Sequence, residues 1–340
     1  MRRRSDSAIA KWPLAVQKRE PMHPLAQSLL GISLLFSVHA FAEGLKYENV
    51  PHFFDELPGG EPQGACHGGV AIDKAGNIYV TTDTARGILV FSPDGKFQRA
   101  VGPTKIHALE IREENGAEVI YAARPSAHEV IKLKLDGTQE WSLKYPEEAG
   151  VCKDANGFNP CAVTLGPDGA IYVADGYGSN YIFKFDKDRK FVKTFGAPGV
   201  EEGKFKTCHG IALDTRGEKP LLFVCNRNNN RVEYWDLDGN FVKVIQKDLR
   251  MPAAVHIRGD NAVVPELQGR VTVIDKAGTI AAQVGDNPDA KKRANYGLPK
   301  DQWTDGITNS PHGASIDKDG NLIVSEWSAF GRLHKFLRQK

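Results

Sequence analysis

Long apolar runs, basic clusters and amphipathic helical patterns are missing from most of this 340-residue chain, and each absence narrows what the protein can be. Beyond residue 42 no apolar stretch approaches the length of a membrane-spanning helix, so no span is expected there. The one apolar run, Leu25–Val38, is itself too short for a stable span and lies just before Ala40-Phe41-Ala42, a small-x-small pattern. Preceded by Arg2, Arg3, Arg4, Lys11, Lys18 and Arg19, it reads as an export signal (residues 1–42) cleaved near Ala42, which makes the mature protein periplasmic or extracellular. The first 42 residues hold six Lys/Arg and two Asp/Glu, leaving 38 basic against 40 acidic residues in the remainder. A mature charge near −2 without basic clusters excludes nucleic acid as the expected partner. Cysteine is scarce: Cys66, Cys152, Cys161, Cys208 and Cys225 are the five present. An odd number in an exported protein leaves at least one thiol unpaired. Cys152 and Cys161 close a short loop and are the bridge to expect first.

What is present is repetition. After the leader, short apolar strands alternate with Gly-Asn or Asp-Gly turns at a period near 40–56 residues, as at Gly76-Asn77, Asp94-Gly95, Asp168-Gly169 and Asp238-Gly239. Such strand–turn–strand units are hairpin signals, and four-strand units repeated at this period predict a β-propeller. Six units are counted, with inner strands expected near Ile78, Val119, Ile171, Leu222, Ala262 and Leu322. The predicted fold is therefore all-β, a six-bladed propeller over residues 43–340. The last unit is one strand short, and Leu45–Phe54 is expected to supply that strand and close the ring. Two long insertions, 140–160 and 285–310, run into the starts of the third and sixth units and are expected to overhang one mouth of the channel.

Aligning the units at the start of the innermost strand gives Gly68, His107, Cys161, His209, Ala253 and His312. In a six-bladed ring alternate units lie about 120° apart, so His107, His209 and His312 converge on the axis. Taken singly, each could satisfy backbone groups; their alternate placement points to a metal with one open position. Neutral imidazoles suit Zn²⁺ first and Fe or Cu second. His67, one residue before the register, is not expected to point down the axis in the same way, although it lies close enough to touch a ligand or a substrate. Cys161 and Arg86 are further neighbours of the site. His256 reads as a packing residue, and His52, His128 and His334 as surface or packing residues. No acidic residue occupies a register point, which disfavours a calcium-centred hydrolase of the lactonase type. Tyr177 and Arg227 follow the second strands of adjacent units, where turns line the mouth. A Tyr beside a dication can act as a base, and an Arg fork can clamp a carboxylate.

The segments Asp175–Tyr181 and Cys225–Arg231, with Pro311-His312-Gly313, resemble the NHL-repeat propellers, and within them the peptidyl-α-hydroxyglycine α-amidating lyases. The resemblance spans essentially the whole mature chain. It implies Zn²⁺ held by His107, His209 and His312, Tyr177 as catalytic base and Arg227 as a substrate-binding residue. The implied reaction cleaves a carbinolamide C–N bond to give an amide and glyoxylate. Three positions depart from that pattern. Asp83 stands where a second Arg is expected, with Arg86 nearby but displaced, and Gly178 stands where a disulfide cysteine would be. Gly313 replaces an Asp that binds structural Ca²⁺, so Ca²⁺ is not expected here. Two functions follow. One is a metal-dependent carbon–nitrogen lyase acting on a small-molecule or peptide substrate with a hydroxylated carboxylate. The other is a non-catalytic propeller that binds a protein or glycan and carries a structural metal.

Overall fold

Period-two alternation along each strand decides the architecture. In the strand Ile171–Ala174, Ile171 and Val173 face one neighbouring sheet while Tyr172 and Ala174 face the other. Both faces are buried, so the strand is apolar throughout and must sit between two other sheets. The computed structural model describes residues 44–54, 57 and 63–340. The predicted export signal lies outside the described residues. From Gly44 onward the chain forms six four-stranded antiparallel sheets arranged as the blades of a propeller, and helix is confined to 3₁₀ turns among the described residues.

The innermost strands are Val70–Ile72, Ala108–Glu114, Ala162–Leu165, Cys208–Asp214, His256–Arg258 and Pro311–Ile316. Ile78, Val119, Ile171, Leu222, Ala262 and Leu322, read above as inner-strand residues, lie in the second strand of each blade. They are the most apolar positions because the second strand has a sheet on both faces, whereas the first lines the channel. In the sixth blade, Tyr47–Asn49 pairs antiparallel with the outer strand Leu333–Arg338, matching Tyr47 to Arg338 and Asn49 to Phe336.

Six hydrophobic clusters fill the spaces between successive blades. The richest in aromatics joins blades two and three through Tyr121, Phe158, Phe183 and Phe185, with Trp141, Tyr145, Tyr181 and Phe191 packed against them. The turns between first and second strands of blades one and six share one device: an Asp carboxylate accepts the backbone N–H four residues on, at 2.7 Å for Asp73–Asn77 and 2.9 Å for Asp317–Asn321. Gly76 and Gly320 occupy the left-handed position of these turns, with φ of 88° and 85°. That conformation explains the Gly-Asn signal in the sequence.

The expected Cys152–Cys161 bridge does not form, and all five thiols are free. Cys152 packs against Gly157, and its backbone N–H donates to the Tyr145 hydroxyl at 3.0 Å. Cys161 is fully buried at the start of the third inner strand.

Candidate metal centre

The three register histidines meet on the propeller axis. Their ring centres form a nearly equilateral triangle, with sides of 4.7 Å (His107–His209), 4.9 Å (His107–His312) and 4.8 Å (His209–His312). All three are buried. They head a channel of about 310 Å³ lined by the innermost strands, whose other end carries Lys74, Glu110, Arg112, Glu118 and Arg258. His256 also lines this channel. Its Nδ1 accepts the Ile316 backbone N–H at 3.0 Å, and burial lowers its pKa to about 4.

The intervening blades fix the orientation of the imidazoles. His107 Nδ1 donates to the Cys161 carbonyl at 2.7 Å, and His209 Nδ1 donates to the Ala253 carbonyl at 2.6 Å. Cys161 and Ala253 are the register residues of the next blades round the ring, so at these two places the repeat sets a carbonyl behind a candidate ligand. Because a carbonyl can only accept, each Nδ1 carries the proton and each Nε2 keeps its lone pair. Burial, the largest cause, holds all three histidines well below the ordinary imidazole range. They are therefore neutral and ready to ligate at neutral pH. Buried His312 Nε2 has no hydrogen-bond partner among the described residues. A buried, unpartnered ring nitrogen at the centre of a neutral imidazole cluster is what a metal-binding site needs, and the donor set fits Zn²⁺.

Tyr177 and Arg227 stand where expected, in the turns after the second strands of blades three and four. The Tyr177 hydroxyl lies 3.0 Å from His209 Nε2 and 3.3 Å from His107 Nε2, and it accepts from Arg227 Nη1 at 3.1 Å. The guanidinium also sits 5.2 Å from the Tyr177 ring centre. As a residue Tyr177 exposes 39 % of its surface, yet its hydroxyl lies among buried groups. Burial raises its pKa, and Arg227 opposes that rise. Cys161 contributes through its carbonyl; burial pushes its thiol well above the usual range, which makes it a poor ligand. Arg86 is half-buried and its backbone N–H donates to Thr84 Oγ1 at 3.3 Å.

His67 departs from the reading of the sequence. Its ring centre is 5.0 Å from that of His107 and 5.4 Å from that of His312. One donor nitrogen from each of His67, His107 and His312 lies within 4.8 Å of the others. The displacement has a local cause. Cys66 forms an isolated bridge with Ser328 of the sixth blade, N–H to carbonyl at 2.9 Å, and this swings the following residue toward the axis. His67 Nδ1 lies 3.0 Å from Asp83 Oδ2. Trp327 stands 6.3 Å from the His67 ring and is backed at 4.9 Å by Tyr296 of the 285–310 insertion. That insertion therefore reaches the edge of the site.

Sequence reasoning missed two supporting carboxylates. Buried Glu326 accepts the backbone N–H groups of Asn309 and Ser310 at 3.0 and 2.9 Å, which fixes the approach to His312; its other oxygen binds His334 at 2.6 Å and Arg332 at 3.2 Å. Asp175 shapes the Tyr177 turn by accepting from Asn159 N–H at 2.5 Å, Ser179 N–H at 2.7 Å and Ser179 Oγ at 2.6 Å. Burial raises the Asp175 carboxyl from 3.8 to about 6 despite these donors. Between those values the folded state keeps a proton that the unfolded chain releases. This stabilising contribution is complete below about pH 4 and is lost as the pH rises through about 6. Asp175→Asn is expected to remove that component, on the order of 2–3 kcal/mol between pH 4 and 7. Urea unfolding of both proteins across this range measures it, and parallel stability–pH curves for the two would count against the assignment.

No protein-family model matches the chain. In sequence it is 26% identical over 213 residues to the peptidylglycine α-amidating monooxygenase of Rattus norvegicus and to that of Mus musculus, matching 52% of this chain and 21% of each relative. The chain thus matches about one fifth of those proteins. In structure it resembles a streptogramin B lyase (TM-score 0.58, 17% identity, 87% of this chain and 98% of the other). It also resembles the virginiamycin B lyase of Staphylococcus aureus (0.56, 15%, 86% and 99%) and a putative gluconolactonase (0.57, 13%, 86% and 98%). The chain is a six-bladed β-propeller with distant similarity to the amidating enzymes. The structural likenesses, at these identities, bear on the fold alone. Among the described residues no helix is long and apolar enough to cross a membrane.

Proposed function

We propose that this propeller is an exported metal-dependent enzyme of the lyase type, with Zn²⁺ held by His107, His209 and His312. Its substrate is a small hydroxylated carboxylate or a peptide ending in α-hydroxyglycine. One observation carries the reading: three buried imidazoles converge on the axis, two of them oriented by backbone carbonyls, with the buried Nε2 of His312 left without a partner. The leader over residues 1–42 supports export, and the distant similarity to amidating enzymes supports the substrate class.

Bound there, the ion would polarise a substrate hydroxyl and favour the phenolate form of Tyr177. The remaining chemistry belongs to side chains. Tyr177 Oη takes the proton of the substrate hydroxyl; as the carbonyl forms, the adjacent C–N bond breaks, and the same proton passes to the departing amide nitrogen. Arg227, whose Nη1 already reaches Tyr177 Oη, stabilises the phenolate and offers its second face to the substrate carboxylate.

The test combines metal analysis of the purified mature protein with glyoxylate release from an α-hydroxyglycine peptide. Wild type is expected to contain one transition metal per chain and to release glyoxylate. Tyr177→Phe is expected to keep the metal and lose roughly 10²–10⁴-fold in kcat, the usual worth of a positioned proton-transfer group. Absence of bound metal in the wild type would sink the proposal. Metal without glyoxylate would favour the non-catalytic propeller with a structural ion.

A further inference from the structure

The structure assigns His67 to the metal centre as a fourth imidazole ligand, oriented by Asp83. This rests on the proposal that the axis holds a metal, and adds a ligand that the three-fold register does not contain. Rings that share one ion through metal–nitrogen bonds of about 2.0–2.1 Å, meeting at tetrahedral to right angles, have centres roughly 4.5–5.3 Å apart. His67 stands 5.0 Å from His107 and 5.4 Å from His312, against 4.7–4.9 Å among the three register histidines. The His107 spacing falls inside that range and the His312 spacing lies at its outer edge, so His67 stands within reach of an ion held by these rings.

The hydrogen bonds agree. Asp83 Oδ2 engages Nδ1 of His67 at 3.0 Å, so the proton sits on Nδ1 and Nε2 is left as the donor atom. A carboxylate behind a ligating histidine is a recurrent arrangement that fixes the ring and strengthens it as a ligand. Asp83 is itself held in place, its backbone N–H donating to Ala65 O at 2.8 Å, two residues before His67. On the Tyr177 side, the hydroxyl already occupies the Nε2 atoms of His107 and His209. His312 Nε2, orphaned and buried, shares its neighbourhood with His67, and it is the His67, His107 and His312 donor atoms that gather within 4.8 Å. Two histidines receive backbone carbonyls as their partners and the fourth receives a carboxylate. With His67 in the set, four imidazoles would hold the ion, and the chemistry it would supply is polarisation of a substrate oxygen.

The test uses the full-length mature protein loaded with Zn²⁺ and, separately, with Co²⁺, in wild type, His67→Ala and Asp83→Asn. X-ray absorption at the metal edge should count four imidazoles in wild type and three in His67→Ala. The visible spectrum of the Co²⁺ form should change in the same variant. Competition with a chromophoric chelator should show Zn²⁺ held about 10–100-fold less tightly in Asp83→Asn, the usual effect of removing the group behind a ligand, and less tightly still in His67→Ala. Circular dichroism confirms that each variant is folded; a misfolded His67→Ala leaves the wild-type imidazole number and the Asp83→Asn affinity to decide. Three imidazoles in wild type, or an unchanged spectrum and affinity in folded His67→Ala, overturn this inference while leaving the three-histidine site standing. Failure of wild type to bind any metal overturns both.

Discussion

Gly313→Ala is expected to cost about 3–5 kcal/mol of folding stability and to abolish metal binding, a larger effect than most single substitutions produce. Gly313 lies one residue after a candidate ligand, on the inner strand of the sixth blade, where it meets the first. A β-carbon at this position would fall on the Gly68 carbonyl oxygen and press on Gly69 Cα. The opposing contact is equally tight, since a β-carbon on Gly68 would lie 2.9 Å from His312 Cβ. Both neighbours are backbone or buried, so nothing can rotate away. Relief requires the two inner strands to separate, which opens the ring at its closure and pulls His312 from the axis. The same crowding shows why no aspartate can stand at 313. Denaturation midpoints and metal content measure the effect. Ser315→Ala, two residues along the same strand, removes a buried hydroxyl without a partner and should change stability little. A Gly313→Ala protein with the wild-type midpoint would show that the blades yield more easily than this packing indicates.

His209→Ala is expected to empty the centre. His209 is only 1 % exposed, its Nδ1 is committed to Ala253, and its Nε2 faces the axis beside Tyr177. Removing a directly ligating nitrogen should weaken metal binding by more than the roughly 10–100-fold caused by losing a group behind a ligand. Glyoxylate release should fall to background. The contrast is His256→Ala: that histidine also lines the channel, but its Nδ1 is spent on Ile316 N–H, so the variant should keep its metal. Chelator competition and metal analysis distinguish the two. Equal metal affinity in His209→Ala and wild type would remove His209 from the ligand set.

Much of this was legible in the residues because it depends on local rules. The Asp-Gly and Gly-Asn turns are written in the chemistry of four or five adjacent residues, and the alternation along each second strand records two buried faces. The alternate-blade histidines were legible because a propeller converts an interval along the chain into an angle about an axis. Other features were not legible, for identifiable reasons. His67 lies one residue off register and reaches the centre only through the Cys66–Ser328 bridge, a pairing between chain segments some 260 residues apart. Cys161 suggested thiol chemistry, whereas its contribution is a backbone carbonyl, and any residue type supplies one. Cys152 and Cys161 are close in sequence, but separate packing environments keep them unbridged.

By itself, then, the sequence determined the repeat, the blade number, and which three histidines and which Tyr–Arg pair face one another, since each follows from short-range geometry multiplied by six. Only the tertiary structure decided how closely the first and last blades meet, with Gly68 against Gly313, and that a fourth histidine with its aspartate stands beside the other three. Those outcomes depend on the distance at which first and last blades meet, a quantity set by the packing of all six interfaces together.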